Sequence, residues 1–232
     1  MGFKSYLRRP HFKSLIFYFV YVTLIFNVIY LGGIFVESIN FTLCTPYERN
    51  RVYNLWYKIY FEEMGRNKNY ANHDLKQISD DMENSSIIIL AKDNNEIIGT
   101  SRIHIYPDVA GKIPYYEDLY KLKNFSMENN GKICIVTRYM VDKSYRKIGL
   151  GFYLALATVN YCIKNNIRWI IMDCSPNLYE YFEKIGFSDY LSILHHKEYG
   201  EVKIMKFDVF QNPTKILNDS KHQSKLEKLI LF

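Results

Sequence analysis

Apolar positions change period along this chain, and each change marks an element. Ile39–Thr45 reads as a strand. Thr45-Pro46-Tyr47-Glu48 then opens a helix, with a capping residue, proline at the first position and an acid in the first turn. That helix is predicted to run to about Met64, to carry the aromatic residues Tyr53, Trp56, Tyr57, Tyr60 and Phe61, and to end at Gly65. Residues 66–83 are polar and predict a loop with a short helix. Ser86–Lys92 and Glu96–Tyr106 are apolar runs around Asp93-Asn94-Asn95, a hairpin signal. Pro107–Asn130 predicts an irregular, partly helical connection. Ile133–Val141 is rich in β-branched and aromatic residues and predicts a strand, followed by a helix that opens at Arg146 and runs to about Asn165. Asn166–Ser175 predicts a strand, Pro176–Ile185 a short helix, and Phe187–Phe210 two strands turned at Glu198-Tyr199-Gly200.

The two ends of the chain have another character. Residues 1–14 carry Lys4, Arg8, Arg9 and Lys13 and no acid, and Leu15–Val36 is then uncharged. A bilayer crossing takes about 20 apolar residues, so residues 1–38 predict a basic N-terminus and a membrane helix. The alternatives are a buried helix or an interfacial hairpin broken at Gly32-Gly33. A domain follows over 39–210, and residues 211–232 form a basic amphipathic tail. The flanking charges weakly favour an inside N-terminus and an outside domain, which conflicts with any use of cytosolic donors.

The chain has 232 residues, 48% of them hydrophobic, and a net charge of +6. That composition excludes disorder, and the scattered basic residues, with no zinc-finger spacing and no basic stripe, give no support for nucleic acid as a partner. The cysteines Cys44, Cys134, Cys162 and Cys174 form no CxxC pair and read as buried reduced thiols. The histidines show no metal-ligand spacing, so no metal is expected. His195 and His196 are adjacent on an extended run and point to opposite faces.

The chemistry concentrates in Ile133–Gly151. Gly149 and Gly151 beside a helix N-terminus leave backbone N–H groups uncovered, and Arg146 and Lys147 add positive charge at the same place. Such a turn suits a phosphate-bearing ligand; a basic turn that holds no ligand is the plainer alternative.

Arg146-x-x-Gly149-x-Gly151 after a strand ending Tyr139-Met140-Val141-Asp142 resembles the coenzyme A pyrophosphate loop of the GNAT acyltransferase superfamily. Phe182-Glu183-Lys184-Ile185-Gly186-Phe187 resembles the Tyr-Glu-Lys-Leu-Gly-Phe signature that closes that domain. Within the superfamily, five further stretches are similar in kind and order to the branch of acyl-homoserine-lactone synthases and N-acyl amino acid synthases. They are Leu55-Trp56-Tyr57-Lys58-Ile59-Tyr60, Asp80-Asp81, Gly99-Thr100-Ser101-Arg102-Ile103, Pro114-Tyr115-Tyr116-Glu117 and Val136-Thr137-Arg138-Tyr139-Met140-Val141. Three positions depart from the pattern: Trp56 stands where the branch usually has Arg, Ile135 where it often has Glu, and Phe182 where many acetyltransferases have a proton-donating Tyr. Tyr179 and Tyr181 flank Phe182 on the helix and are expected to face away from it.

The resemblance implies an α/β (α+β) fold, a GNAT-like mixed and mostly antiparallel sheet flanked by helices. It implies transfer of an acyl group from an acyl-CoA or acyl-carrier-protein thioester to a primary amine such as an amino acid, with no permanently bound cofactor. The donor phosphates would lie on the amides of Lys147, Ile148, Gly149, Leu150 and Gly151 beside Arg146, and the pantetheine arm along Tyr139, Met140 and Val141. A main-chain N–H near Met140 would polarise the thioester carbonyl, and a water near Thr137 or His104 would take the amine proton. Arg102 or Arg138 would hold an acceptor carboxylate, the alternative being an ion pair with Asp80 or Glu117. The readings kept beside this one are an ordinary acetyl-CoA-dependent N-acetyltransferase and a non-catalytic acyl-CoA-binding module. The expected location is a membrane lipid surface, with the catalytic domain facing the cytoplasm.

Overall fold

The computed structural model describes residues 29–31, 34–36 and 39–211. Seven strands form the main sheet: β1 Ile39–Leu43, β2 Ile87–Asp93, β3 Glu96–Tyr106, β4 Lys132–Val141, β5 Ile167–Cys174, β6 Ser188–His196 and β7 Gly200–Asp208. Across the sheet they run β6-β7-β5-β4-β3-β2-β1, and every pair is antiparallel except β4 with β5. Five helices flank it: α1 Arg49–Tyr57, α2 Pro114–Leu119, α3 Leu122–Glu128, α4 Leu150–Lys164 and α5 Tyr179–Lys184. This is the mixed, mostly antiparallel architecture that the family resemblance implies.

Local chemistry explains the elements. Thr45 and Glu48 form a capping box: the Thr45 N–H and hydroxyl both donate to Glu48 Oε2, at 2.9 and 2.8 Å. Beyond Tyr57, α1 continues through Lys58–Glu63 in a wider π-type turn before Gly65 stops it at φ +63°. Asn94 and Asn95 turn the β2–β3 hairpin with φ of +45° and +78°, a conformation that asparagine tolerates better than most residues.

The sheet buries both faces. On one, α4 covers Cys134 and Val136 of β4 and Ile170 and Met172 of β5. On the other, α1 packs with Ile88, Leu90 and Met140, while α2 and α3 pack on Ile133, Ile135 and Ile171.

Two irregularities in β4 shape the centre. Its pairing with β5 runs from Lys132↔Ile167 to Val136↔Met172 and stops there, although both strands continue. The strands therefore fork. On the other edge the register with β3 slips between Thr100 and Arg102, and Arg138 takes φ +46°. A left-handed residue opposite a register slip is a bulge, which re-aims the side chains that follow it.

Two expectations are corrected here. The helix after β4 does not open at Arg146: Lys143–Ile148 is a separate 3-10 turn, capped by Asp142, and α4 begins at Leu150. Gly149 lies between them at φ +82°, which a continuous right-handed helix cannot contain. The predicted membrane helix over Leu15–Val36 does not hold as such. Ile29–Leu31 and Ile34–Val36 are strands paired antiparallel on either side of Gly32-Gly33, which suits their β-branched residues. Residues 15–28, like the tail at 212–232, lie outside the described residues. Among the described residues no helix is long and apolar enough to cross a membrane.

Candidate active site

The fork between β4 and β5 has two sides. On the α4 side, an apolar cavity is lined by Val136, Tyr139, Ala155, Val159, Met172 and Phe182. At its rim the Tyr139 hydroxyl donates to the Gly151 carbonyl in the first turn of α4. Gly149 has no atom within 4 Å of where a Cβ would stand, so the glycine turn is open to a ligand. Arg146 is fixed beside it: Nε donates to the Val141 carbonyl at 2.9 Å and Nη2 pairs with Glu63 at 2.5 Å. The structure thus brings together Tyr139, Val141, Arg146, Gly149, Leu150 and Gly151, with Lys147 and Ile148 in the turn leading to Gly149. Met140 departs from this group. Its side chain packs on the opposite face with Trp56. The Asp142 N–H donates to Ile98 O at 2.8 Å. The alternation of an antiparallel ladder then turns the Val141 N–H, rather than that of Met140, toward the fork.

On the α1 side stand two buried arginines. Arg102 donates from Nε to Thr137 Oγ1 at 2.9 Å and from Nη1 to Asp80 at 2.7 Å and Glu83 at 2.6 Å. Arg138 donates from Nη2 to Asp80 at 2.5 Å and to the Tyr70 hydroxyl at 3.3 Å, while its Nε and Nη1 are buried without a partner. Trp56 underlies both guanidinium groups, at 5.5 Å from Arg102 and 4.7 Å from Arg138. A third cation at position 56 would repel the pair, whereas an indole face attracts it. The Trp56 Nε1–H is anchored on Thr100 at 2.9 Å. Burial alone would raise the Asp80 carboxyl, but Arg102 and Arg138 outweigh it and hold it down to about 2.

These contacts sort the sequence candidates. Asp80, not Glu117, is the ion-pair partner of both arginines; Glu117 instead accepts from the Gly111 N–H. Thr137 is 4% exposed and committed to Arg102. His104 is fully buried, its Nδ1 lies 3.1 Å from the Ser85 carbonyl, and burial, with Arg102 nearby, lowers its pKa to about 4. It is a poor proton acceptor there. Phe182 belongs to the core against Tyr139 and Phe187. Tyr181 does reach the site: its hydroxyl lies 3.4 Å from where a Gly151 Cβ would stand, the only phenol that α5 brings to the glycine turn among the described residues.

The walls around Arg138 were not legible in advance. Tyr60 and Tyr199 stack at 6.0 Å with their hydroxyls 2.9 Å apart, and Tyr60 also underlies Arg138 at 5.4 Å. Lys68 pairs with Glu198 at 2.7 Å, and Tyr70 donates to the same carboxylate at 3.1 Å. Glu198 and Tyr199 come from the β6–β7 turn, well over a hundred residues from their partners in the chain, and no local pattern announces such a contact. The aromatic run of α1 was the one available signal.

Residues 51–208 match the family model described as N-acyl amino acid synthase FeeM. Among solved structures, FeeM from uncultured soil microbes is 14% identical, with a TM-score of 0.60 over 78% of this chain and 97% of that chain. The CoA-dependent acyl-homoserine lactone synthase BjaI, solved with SAM and isopentyl-CoA, is 15% identical, with a TM-score of 0.62 over 81% of this chain and 89% of that one. An N-acetyltransferase of Lactobacillus plantarum, so described in its own report only as a candidate, is 14% identical at a TM-score of 0.53 over 74% and 98%. At these identities the structures bear on the fold. No curated protein matches the chain. The family match spans well over half of the sequence, so the protein belongs to the N-acyl amino acid synthase FeeM family and is a GNAT-type N-acyltransferase, which moves an acyl group from a thioester to a primary amine.

Proposed function

We propose that the amine acceptor is an amino acid and that Arg138 holds its carboxylate. The observation that carries this is the pair of buried Arg138 nitrogens, Nε and Nη1, that have no partner beside the fork. A buried donor left unpaired costs about 1–3 kcal/mol, and a carboxylate oxygen accepts a charge-assisted N–H bond from a guanidinium nitrogen. Arg102 has no such need and serves to hold Asp80, Glu83 and Thr137 in place.

The donor enters from the other side. Its phosphates lie on the amides of residues 147–151 beside Arg146, and its pantetheine arm follows Tyr139 and Val141. The Val141 N–H polarises the thioester carbonyl, as a donor aimed where negative charge develops. Both acyl-CoA and acyl carrier protein fit this reading, and no permanent cofactor is required. The domain works in the cytoplasm, where both thioesters occur. The basic residues Lys4, Arg8, Arg9 and Lys13 bring it to anionic lipid.

The test offers the full chain acetyl, octanoyl and palmitoyl thioesters of coenzyme A and of acyl carrier protein, with a mixture of amino acids, and reads the products by mass spectrometry. N-acylated amino acids with a medium or long chain are expected. Acetyl products alone identify an ordinary acetyltransferase, and donor binding without product identifies a binding module. Gly149→Glu is expected to abolish donor binding, because it strains a φ of +82° and places a carboxylate among the phosphate-binding amides. Retained binding removes the phosphate loop from the account.

A further inference from the structure

The amine must lose protons, and neither Ile135 nor Thr137 nor His104 can take them, for the reasons given above. Asp173 is placed to do so. It is the next residue after Met172, whose pairing with Val136 is the last between β4 and β5. In the parallel register it stands level with Thr137, one residue before Arg138, across a gap that starts at about 4.8 Å and widens. Strand alternation puts Met172 on the α4 face and Asp173 on the opposite face with Ile171, the face on which Arg138 meets Tyr60. The Tyr120 hydroxyl donates to Asp173 Oδ1 at 2.5 Å and is itself fully buried. Asp173 is partly exposed as a residue, with its carboxyl desolvated and held from behind by Tyr120. The register thus sets a carboxylate on β5 one residue out of step with Arg138 on β4, on the same face of the sheet.

We propose that the Asp173 carboxylate receives the amine protons during acyl transfer, an assignment that rests on the acceptor reading above. The bound ammonium gives one proton to Asp173, which passes it to water. The freed nitrogen pair forms the bond to the acyl carbon. The carbon–sulfur bond then breaks with its electrons on sulfur, and the second nitrogen proton passes by way of the same carboxylate to the thiolate.

The groups around Asp173 support a proton acceptor. Tyr115, Tyr116 and Tyr120 act on it from the α2 side, Tyr60 from α1, Glu198 from the β6–β7 turn, and Cys174 neighbours it on its own strand. Burial raises its pKa, Glu198 adds to the rise, and the Tyr120 hydrogen bond opposes it. The result is a stronger base than an ordinary aspartate, in contrast with His104.

The experiment uses the full chain, the acyl thioester that the wild type accepts, and two acceptors: an amino acid and the matching aminooxy acid, whose nitrogen is already unprotonated at neutral pH. General-base catalysis is typically worth about 10²–10⁴-fold, so Asp173→Asn is expected to lower kcat by that order with the amino acid while thioester binding is unchanged. With the aminooxy acid, which skips only the first of the two proton transfers, the deficit shrinks, which a merely structural role would not produce. Tyr120→Phe removes a bond that lowers the Asp173 pKa, so the acid limb of kcat/KM moves to higher pH. The proposal is overturned if Asp173→Asn keeps activity within a few-fold, if its deficit is equal for both acceptors, or if the acid limb stays in place in Tyr120→Phe. A wild type that makes no N-acyl amino acid from any donor overturns the acceptor reading itself, a distinct result that precedes any use of the variants.

Discussion

Arg102 and Arg138 lie on neighbouring strands, share Asp80 and rest on the same indole, yet they are built for different purposes. Arg102 is surrounded by acceptors: Thr137, Asp80 and Glu83 take its Nε and Nη1. Arg138 has one carboxylate, a phenol and aromatic faces, and keeps two buried nitrogens unsatisfied. The bulge accounts for the difference. At φ +46° the β4 backbone turns Arg138 away from the position that regular alternation would assign and toward the fork. In the proposed function the satisfied cation is a brace, and the unsatisfied one is the group offered to the acceptor's carboxylate.

Substitutions separate the two roles. Arg102→Ala should be the most damaging to stability, because it takes the buried partner from Glu83 and Thr137 at once and leaves Asp80 to Arg138 and Glu83 to the longer Arg49 contact. Breaking a buried ion pair from one side costs about 3–5 kcal/mol, read as a fall in the urea midpoint. Arg138→Gln should cost less in the same assay, since Asp80 keeps Arg102. Its main effect is on kcat/KM for the amino acid, a loss of roughly 10–10²-fold for a charge-assisted hydrogen bond worth about 1.5–3 kcal/mol. Equal stability losses for the two variants would break the comparison.

Acid sharpens it further. His104 is held neutral, with its pKa lowered from 6.5 to about 4 by burial first and Arg102 second. The unfolded chain therefore takes up this proton before the folded one does. Stability that is full above pH 6.5 is lost as pH falls toward 4, by about 3 kcal/mol in all. His196, also lowered to about 4 by burial, acts in the same direction. Asp80 behaves differently: its folded value of about 2 lies below its ordinary 3.8, so its contribution persists above pH 3.8 and fails only as pH falls through about 2. Denaturation between pH 7 and 4 should thus show a slope that His104→Gln reduces. An unchanged slope would remove His104 from this account. The smallest expected effect is that of Trp56→Phe. It loses the hydrogen bond to Thr100 and part of the cation attraction, about 1–2 kcal/mol, and should weaken amino acid binding and stability together.

The two sides of the fork also differ in how far the sequence reveals them. The donor side is local. Arg146, Gly149 and Gly151 lie within one turn of each other, and glycine at positive φ beside a helix start carries its own physical meaning. Most strands were legible for the same reason, since alternation and turn residues act over short distances. The acceptor side is assembled from α1, the loop carrying Lys68 and Tyr70, the Asp80–Glu83 turn, β3, β4 and the β6–β7 turn. Arg102 and Arg138 were visible as candidates but not distinguishable, because the bulge that separates them is set by the register of β3 against β4. Asp173 gave no signal within its strand: an acid near the end of Ile167–Cys174 reads as a strand terminus until the fork is seen. The uncharged run near the N-terminus misled through composition. Apolar residues around Gly32-Gly33 satisfy a hydropathy rule, yet their β-branched character permits the strand pair found over Ile29–Val36.

The most direct test of the account compares kcat/KM for an amino acid with that for its carboxamide, in the wild type and in Arg138→Gln. The carboxamide keeps the reacting amine and removes only the negative charge. The account predicts that the wild type prefers the free carboxylate by roughly 10–10²-fold, the worth of one charge-assisted bond of about 1.5–3 kcal/mol, and that the preference vanishes in the variant. A variant that keeps the wild-type preference, or a wild type that shows none, would contradict the assignment of Arg138 as the acceptor's anchor.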